Sequence, residues 1–175
     1  MRGCCDGVLT VSAVKKALSE YREREKDIRH QTERLDLISD RLVSIGSPVI
    51  TDMPKAPSPS NNRLDNILSL KIELEGEVKE MISLQNERRR TVEHILTFIQ
   101  NSDEKAVIRA RYLDCSVYYE DRLTDWSDVC NLLFGGRVDF LDKEHSYMVR
   151  THKLHQSALQ DIATVLTEHA EIRLI

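Results

Sequence analysis

Six polar side chains near the C-terminal end stand at spacings that suit recognition. Ser146, Tyr147, Arg150, His152, Lys153 and Gln156 fall within one short stretch, interleaved with Met148, Thr151, Leu154, Ala158, Leu159 and Ile162 at helical spacing. On a helix held down by that apolar stripe, Arg150, His152, Lys153 and Gln156 point away from the core. Ser146 and Tyr147 occupy its first turn. Such a face presents hydrogen-bond donors to a groove: arginine can pair two acceptors of guanine, while lysine, serine and the helix N-terminus serve phosphates.

Reaction chemistry finds no comparable support. Glu93 and His94 are adjacent and so diverge on a helix. Asp139 and Asp142 lie in a turn, where capping of the next helix is the simpler role. His152 and His155 sit three apart, but no third ligand stands at a zinc-like spacing. There is no glycine-rich phosphate loop, no Ser/His/Asp arrangement and no paired-carboxylate motif. No catalytic residue, cofactor or metal is therefore expected. The run Arg88-Arg89-Arg90 could meet phosphate or an acidic partner, although charge runs are usually solvated faces.

The elements that must carry the polar face are long helices. In 175 residues, 31% are charged and only 5% aromatic, which fits narrow apolar stripes better than a thick core. The net charge is -4 and the pI about 5.9, so any surface for nucleic acid must be local. Cys4, Cys5, Cys115 and Cys130 form no CxxC pair and read as reduced thiols of a cytoplasmic protein. The first residues include Arg2, Gly3 and Asp6 and show no apolar leader core. No apolar run approaches the ~18 residues of a membrane span.

Thr10 to Ile45 reads as one helix without proline or internal glycine, with Val14, Tyr21, Ile28, Leu35 and Leu42 recurring every seven residues and Leu18, Ile38 and Ile45 widening the stripe. All four prolines fall between Gly46 and Asn62, which makes that stretch a loop. Asn62 to Gln100 reads as a second long helix. One core position carries Leu64, Lys71, Val78, Gln85, Val92 and Ile99; the other carries Ile67, Leu74, Met81, Arg88 and Ile95. The two helices should fold back antiparallel as a coiled coil spanning residues 10–100. Its polar seam positions either set register or face solvent.

Residues 101–170 read as three shorter helices, Asp103 to Leu113, Thr124 to Phe134, and His145 to Leu166 or beyond. Ser102 or Asp103 suits the first N-cap, Thr124 or Asp125 the second. Gly135-Gly136 ends the second helix by taking the left-handed conformation cheaply. Val107, Ile108, Ala110, Tyr112 and Leu113, with Trp126, Val129, Cys130, Leu132 and Leu133, supply the remaining core. The fold class is all-α, a long antiparallel coiled-coil hairpin followed by a trihelical helix-turn-helix unit.

The runs VIRARYLD and WSDVCNLLFGGRVDFLDKEHSYMVRTHKLHQSAL resemble the C-terminal part of the ArpU-type late transcription regulators of phages and prophages and, more distantly, region 4 of sigma factors. The residues that carry the likeness are Arg111, Tyr112, Leu113, Asp114, Trp126, Tyr147, Arg150, His155, Ala158 and Leu159, with Ser47-Pro48 and Asp52-Met53-Pro54 in the loop. It covers roughly Ala17 to Ile162. The resemblance implies a DNA-binding transcription regulator, with Arg150, His152 and Lys153 facing the groove. Double-stranded DNA is then the expected partner, with RNA polymerase or a second copy on the hairpin. The alternative is a coiled-coil protein-interaction or phage assembly module without a DNA role.

Trp126, the single tryptophan, stands at the start of an amphipathic helix, where burial is the usual fate. On that reading Trp126→Ala costs roughly 3–5 kcal/mol in a urea titration.

Overall fold

The structure, a computed structural model, describes residues 10–46, 61–114, 123–169 and 172, with backbone alone at 45, 46 and 61–63. The proline-rich loop, Cys4, Cys5 and most of the stretch from Cys115 to Leu123 lie outside the described residues. Among the described residues every regular element is helical, and the fold is all-α. Helix α1 spans Val11–Gly46 and α2 spans Asn61–Phe98. Thr10 starts α1 as an N-cap does: its hydroxyl accepts from the backbone N–H of Ala13 at 3.3 Å.

Helix α3, Ser102–Ile108, runs on into a π-helical turn over Arg109–Leu113, closed by the Asp114 N–H donating to the Arg109 carbonyl at 2.8 Å. Helix α4 is Trp126–Phe134, a short 3-10 turn covers Leu141–Lys143, and α5 is Glu144–Glu168. The N-cap of α3 is Asn101, whose side chain accepts from Asp103 N–H at 2.9 Å, and not Ser102 or Asp103. Asp125 occupies the N-cap position of α4 without a side-chain bond, while Thr124 is fully buried.

The chain divides into two compact units, and the division runs across the hairpin instead of falling near residue 100. One unit is Glu25–Leu84. Its core is small: Ile38, Leu74 and Val78 are buried, with Leu35, Leu42 and Ile67 packed against them. The other unit joins Met1–Arg24 to Gln85–Ile175. There Val14, Leu18 and Tyr21 of α1 and Val92, Ile95, Leu96 and Ile99 of α2 share a core with Ile108, Tyr112, Leu113 and the Ala158–Leu166 face of α5. In both units α1 packs on α2 through the heptad positions, as a seven-residue repeat requires.

Three expectations about side chains need correction. Leu132 is 47% exposed, because Val129, Cys130 and Phe134 take the buried side of α4. With six apolar residues in nine, the α4 pattern did not distinguish its faces. Trp126 is only half-buried, so its removal costs less than full burial implies, about 1–3 kcal/mol. Gly135 keeps ordinary right-handed backbone, φ -60° and ψ -23°. A Cβ there would meet the Asn131 carbonyl oxygen at 2.5 Å, so glycine serves close approach and not a left-handed turn.

The polar seam position Gln85 is buried, and its side-chain amide donates to the Tyr21 carbonyl at 2.9 Å, while its own Oε1 has no partner among the described residues. A polar residue at one core heptad position fixes register at a cost in stability. Gln85→Leu exchanges one modest hydrogen bond for the relief of that oxygen, so it should raise stability by about 0.5–1.5 kcal/mol. The urea midpoint checks this, and a fall of more than 1 kcal/mol would mean the amide is better satisfied than the geometry indicates.

Candidate nucleic-acid interface

Helix α5 has two unlike faces. Thr151, His155, Ala158, Leu159 and Ile162 are buried. Ser146, Val149, Lys153 and Gln156 are exposed and follow one another at i, i+3, i+7 and i+10, a single stripe along the first half of the helix. The side chains of Ser146, Lys153 and Gln156 make no hydrogen bond or ion pair to a described residue. Val149, 41% exposed, sits in the middle of this polar stripe.

The other three sequence-derived candidates are engaged with the protein. The Tyr147 hydroxyl donates to Asp139 Oδ1 at 2.8 Å, and its ring stacks on Phe134 and Phe140 at 5.0 and 5.8 Å. Asp139 also accepts from Lys143 Nζ at 2.9 Å, and the bonds from Lys143 and Tyr147 hold its carboxyl below the usual range. Asp139 therefore clamps the first turn of α5 through side chains and does not cap it; the N-cap position is Lys143, without a side-chain bond. Arg150 lies 3.4 Å from Asp103 Oδ2 and 5.0 Å above the Phe134 ring. His152, though exposed, rests on Trp126 at 4.4 Å. The structure thus brings Ser146, Lys153 and Gln156 together on an open stripe and sets Tyr147, Arg150 and His152 to its edges.

No protein-family model, curated protein or solved structure matches the chain.

Beneath the stripe lies a compact polar-aromatic knot. Tyr112 and His155 share a buried hydrogen bond of 3.0 Å, its proton placed by the histidine tautomer. Trp126 meets the His155 ring edge-on at 4.8 Å, and the Arg111 guanidinium covers Trp126 at 4.6 Å. The π-helical turn makes this possible, since it places Arg111 and Tyr112 where both reach the α4–α5 side of the core. Among the described residues no group of three or more His, Cys, Asp and Glu side chains converges as a metal site would. The triple-arginine run divides: Arg89 bridges Glu93 at 3.1 Å and Asp114 at 3.0 Å, Arg88 is half-buried, and Arg90 is exposed.

Sequence reasoning missed Val149 and Asp139. The first was legible as the only apolar residue on the Ser146–Gln156 stripe. The second had no sequence signal, because its link to Tyr147 depends on the turn.

Burial, with the positive charge of Lys15 and Arg111 and the neighbouring His152, pushes His155 down to about 4. The folded protein therefore holds His155 neutral where the unfolded chain, near 6.5, accepts a proton. This contribution to stability is complete above pH 6.5 and is lost as the pH falls toward 4, on the order of 2 kcal/mol. Urea titrations at pH 7 and 4.5 should show that loss in the wild type. His155→Gln should show a flatter pH dependence, and equal slopes in the two proteins would exclude the effect.

Proposed function

We propose that the chain is a DNA-binding transcription regulator of phage or prophage type, with the first half of α5 as its recognition helix and the hairpin as its dimerisation or RNA polymerase contact. The observation that carries this reading is the open stripe of Ser146, Val149, Lys153 and Gln156 on a helix anchored along its opposite face. The chemistry suits the major groove. Gln156 can pair adenine N6 and N7, Lys153 can donate to guanine O6 or N7, and Val149 can cover a thymine methyl. Arg150, at the edge, and Ser146, at the N-terminal end of the stripe, can donate to phosphate. The three packed helices α3, α4 and α5 and the resemblance to ArpU-type regulators and sigma region 4 add support. Among the described residues no helix is long and apolar enough to cross a membrane.

A second reading, a protein-interaction module without DNA, is favoured by the exposed apolar residues of the Glu25–Leu84 unit, among them Leu37, Leu64, Leu68 and Ile72. Fluorescence anisotropy with a mixed pool of labelled duplexes at two salt concentrations separates the two. DNA binding should weaken steeply with salt. The Lys153→Ala/Gln156→Ala variant should lose at least tenfold in affinity, and Arg150→Ala less, because Asp103 already holds that guanidinium. Salt-sensitive binding that survives the double substitution would move the interface off this stripe. No binding at low salt would leave the interaction module as the function.

A further inference from the structure

The Glu25–Leu84 unit exposes a second heptad stripe on α2, separate from the seam that meets α1. Leu68, Ile72, Glu75, Lys79 and Ile82 follow at spacings of four, three, four and three, and so share one side of the helix. Leu68, Ile72 and Ile82 are 46%, 62% and 42% exposed, large values for branched apolar side chains at regular spacing. Lys79 is exposed and makes no ion pair to a described residue. Glu75 reaches only Lys71, at 3.6 Å along its own helix.

The order of residue types along this stripe is self-complementary. Turned end over end about a point level with Glu77, the stripe lays Ile72 on Ile82 of a second copy, and Glu75 on Lys79, each pair occurring twice. A parallel pairing would set Glu75 on Glu75 and Lys79 on Lys79. An antiparallel register one heptad shorter joins Leu68 to Ile72 but brings Asp65 onto Glu75. The other exposed apolar edge of α2, Leu70 and Leu84, is centred on Glu77 and would place that carboxylate against itself. Charge complementarity therefore selects one face, one direction and one register.

We infer that a second copy of this chain covers the Leu68–Ile82 stripe of α2, as a two-fold antiparallel helix pair with Ile72 against Ile82 and Glu75 against Lys79. A C2 contact of this kind uses the same patch on both partners and closes on itself. The stripe spans about four turns, roughly 21 Å, which is a small interface, so the dimer is concentration-dependent and not obligate. The inference deepens the dimerisation part of the function proposed above. It concerns the Glu25–Leu84 unit alone and stands whether or not α5 meets DNA.

Sedimentation equilibrium of the full chain without DNA tests it. The wild type should rise with concentration from 20.2 kDa toward twice that mass. Glu75→Lys and Lys79→Glu should each weaken the dimer at least tenfold with helicity unchanged by circular dichroism. The combined Glu75→Lys/Lys79→Glu chain should recover to within about threefold of wild type, because the opposite charges meet again only in the antiparallel register. Ile72→Asp should leave a monomer. A wild-type chain that stays monomeric at high concentration, a dimer indifferent to either single charge reversal, or a double reversal no better than the singles would each overturn the proposal. DNA binding by a monomeric wild type would overturn it while leaving the function of α5 intact.

Discussion

The orientation of α5 depends on the base of the hairpin. Helices α3 and α4 have seven and nine residues, and α5 has twenty-five. At 1.5 Å per residue, two helices of roughly 10–14 Å cannot cover one of nearly 40 Å. Val14, Leu18, Tyr21, Ile95 and Ile99 close the gap over Ala158, Leu159, Ile162 and Leu166. The three C-terminal helices are therefore part of a larger core, and a cut near residue 100 would strip the apolar cover from the second half of α5. With that half fixed, the first half is held by lateral ties: Asp139 to Tyr147, Asp103 to Arg150, Trp126 to His152, and Tyr112 to His155. A surface held this way loses little freedom on meeting a partner, which favours affinity without added contact area.

The knot under α5 gathers most of the residues on which the proposed likeness to ArpU-type regulators rests. Tyr112, Leu113, His155, Ala158 and Leu159 are buried, Arg111 covers Trp126, and Tyr147 is tied to Asp139. Of the residues that make the likeness in this region, only Arg150 is both exposed and close to the open stripe. On the proposed reading, that likeness bears on how α5 is seated and leaves open what its exposed stripe would read.

Much of the fold was legible because its strongest determinant is periodic. The seven-residue recurrence of Val14, Tyr21, Ile28, Leu35 and Leu42 marks one helix, the proline cluster ends it, and each helix boundary falls within two residues of its expected place once the π-helical turn is counted with α3. Periodicity gives a line of side chains, but it does not say which part of that line joins which compact unit. The division at Arg24 and Gln85 follows from where the C-terminal helices need cover, which is a non-local requirement. Gln85 has the same origin, since its bond to the Tyr21 carbonyl crosses 64 residues of sequence. At the candidate site, the exposed and buried faces of α5 were readable. The capture of Arg150 by Asp103, 47 residues away, was not, and neither was the clamp at Asp139.

Electrostatics constrains how such a protein could meet DNA. The N-terminus of α5 is flanked by Asp139, Asp142 and Glu144, so the positive end of its dipole is already answered and offers little to phosphate. On the proposed reading, contact shifts to the third and fourth turns, where Lys153 and Gln156 lie, and few phosphates are neutralised per copy. Affinity from so few charges is low at physiological salt, and a chain of net charge -4 adds no general attraction. Between Leu64 and Leu84 there are five carboxylates against two lysines, which suits a protein-facing surface and repels phosphate. Linking two weak reading heads through such a segment converts the second contact into an intramolecular event with a high effective concentration. If the proposed function and the proposed dimer both hold, a weak, local basic face and a self-complementary acidic helix serve one binding strategy, in which neither the reading head nor the dimer seam needs to be strong alone.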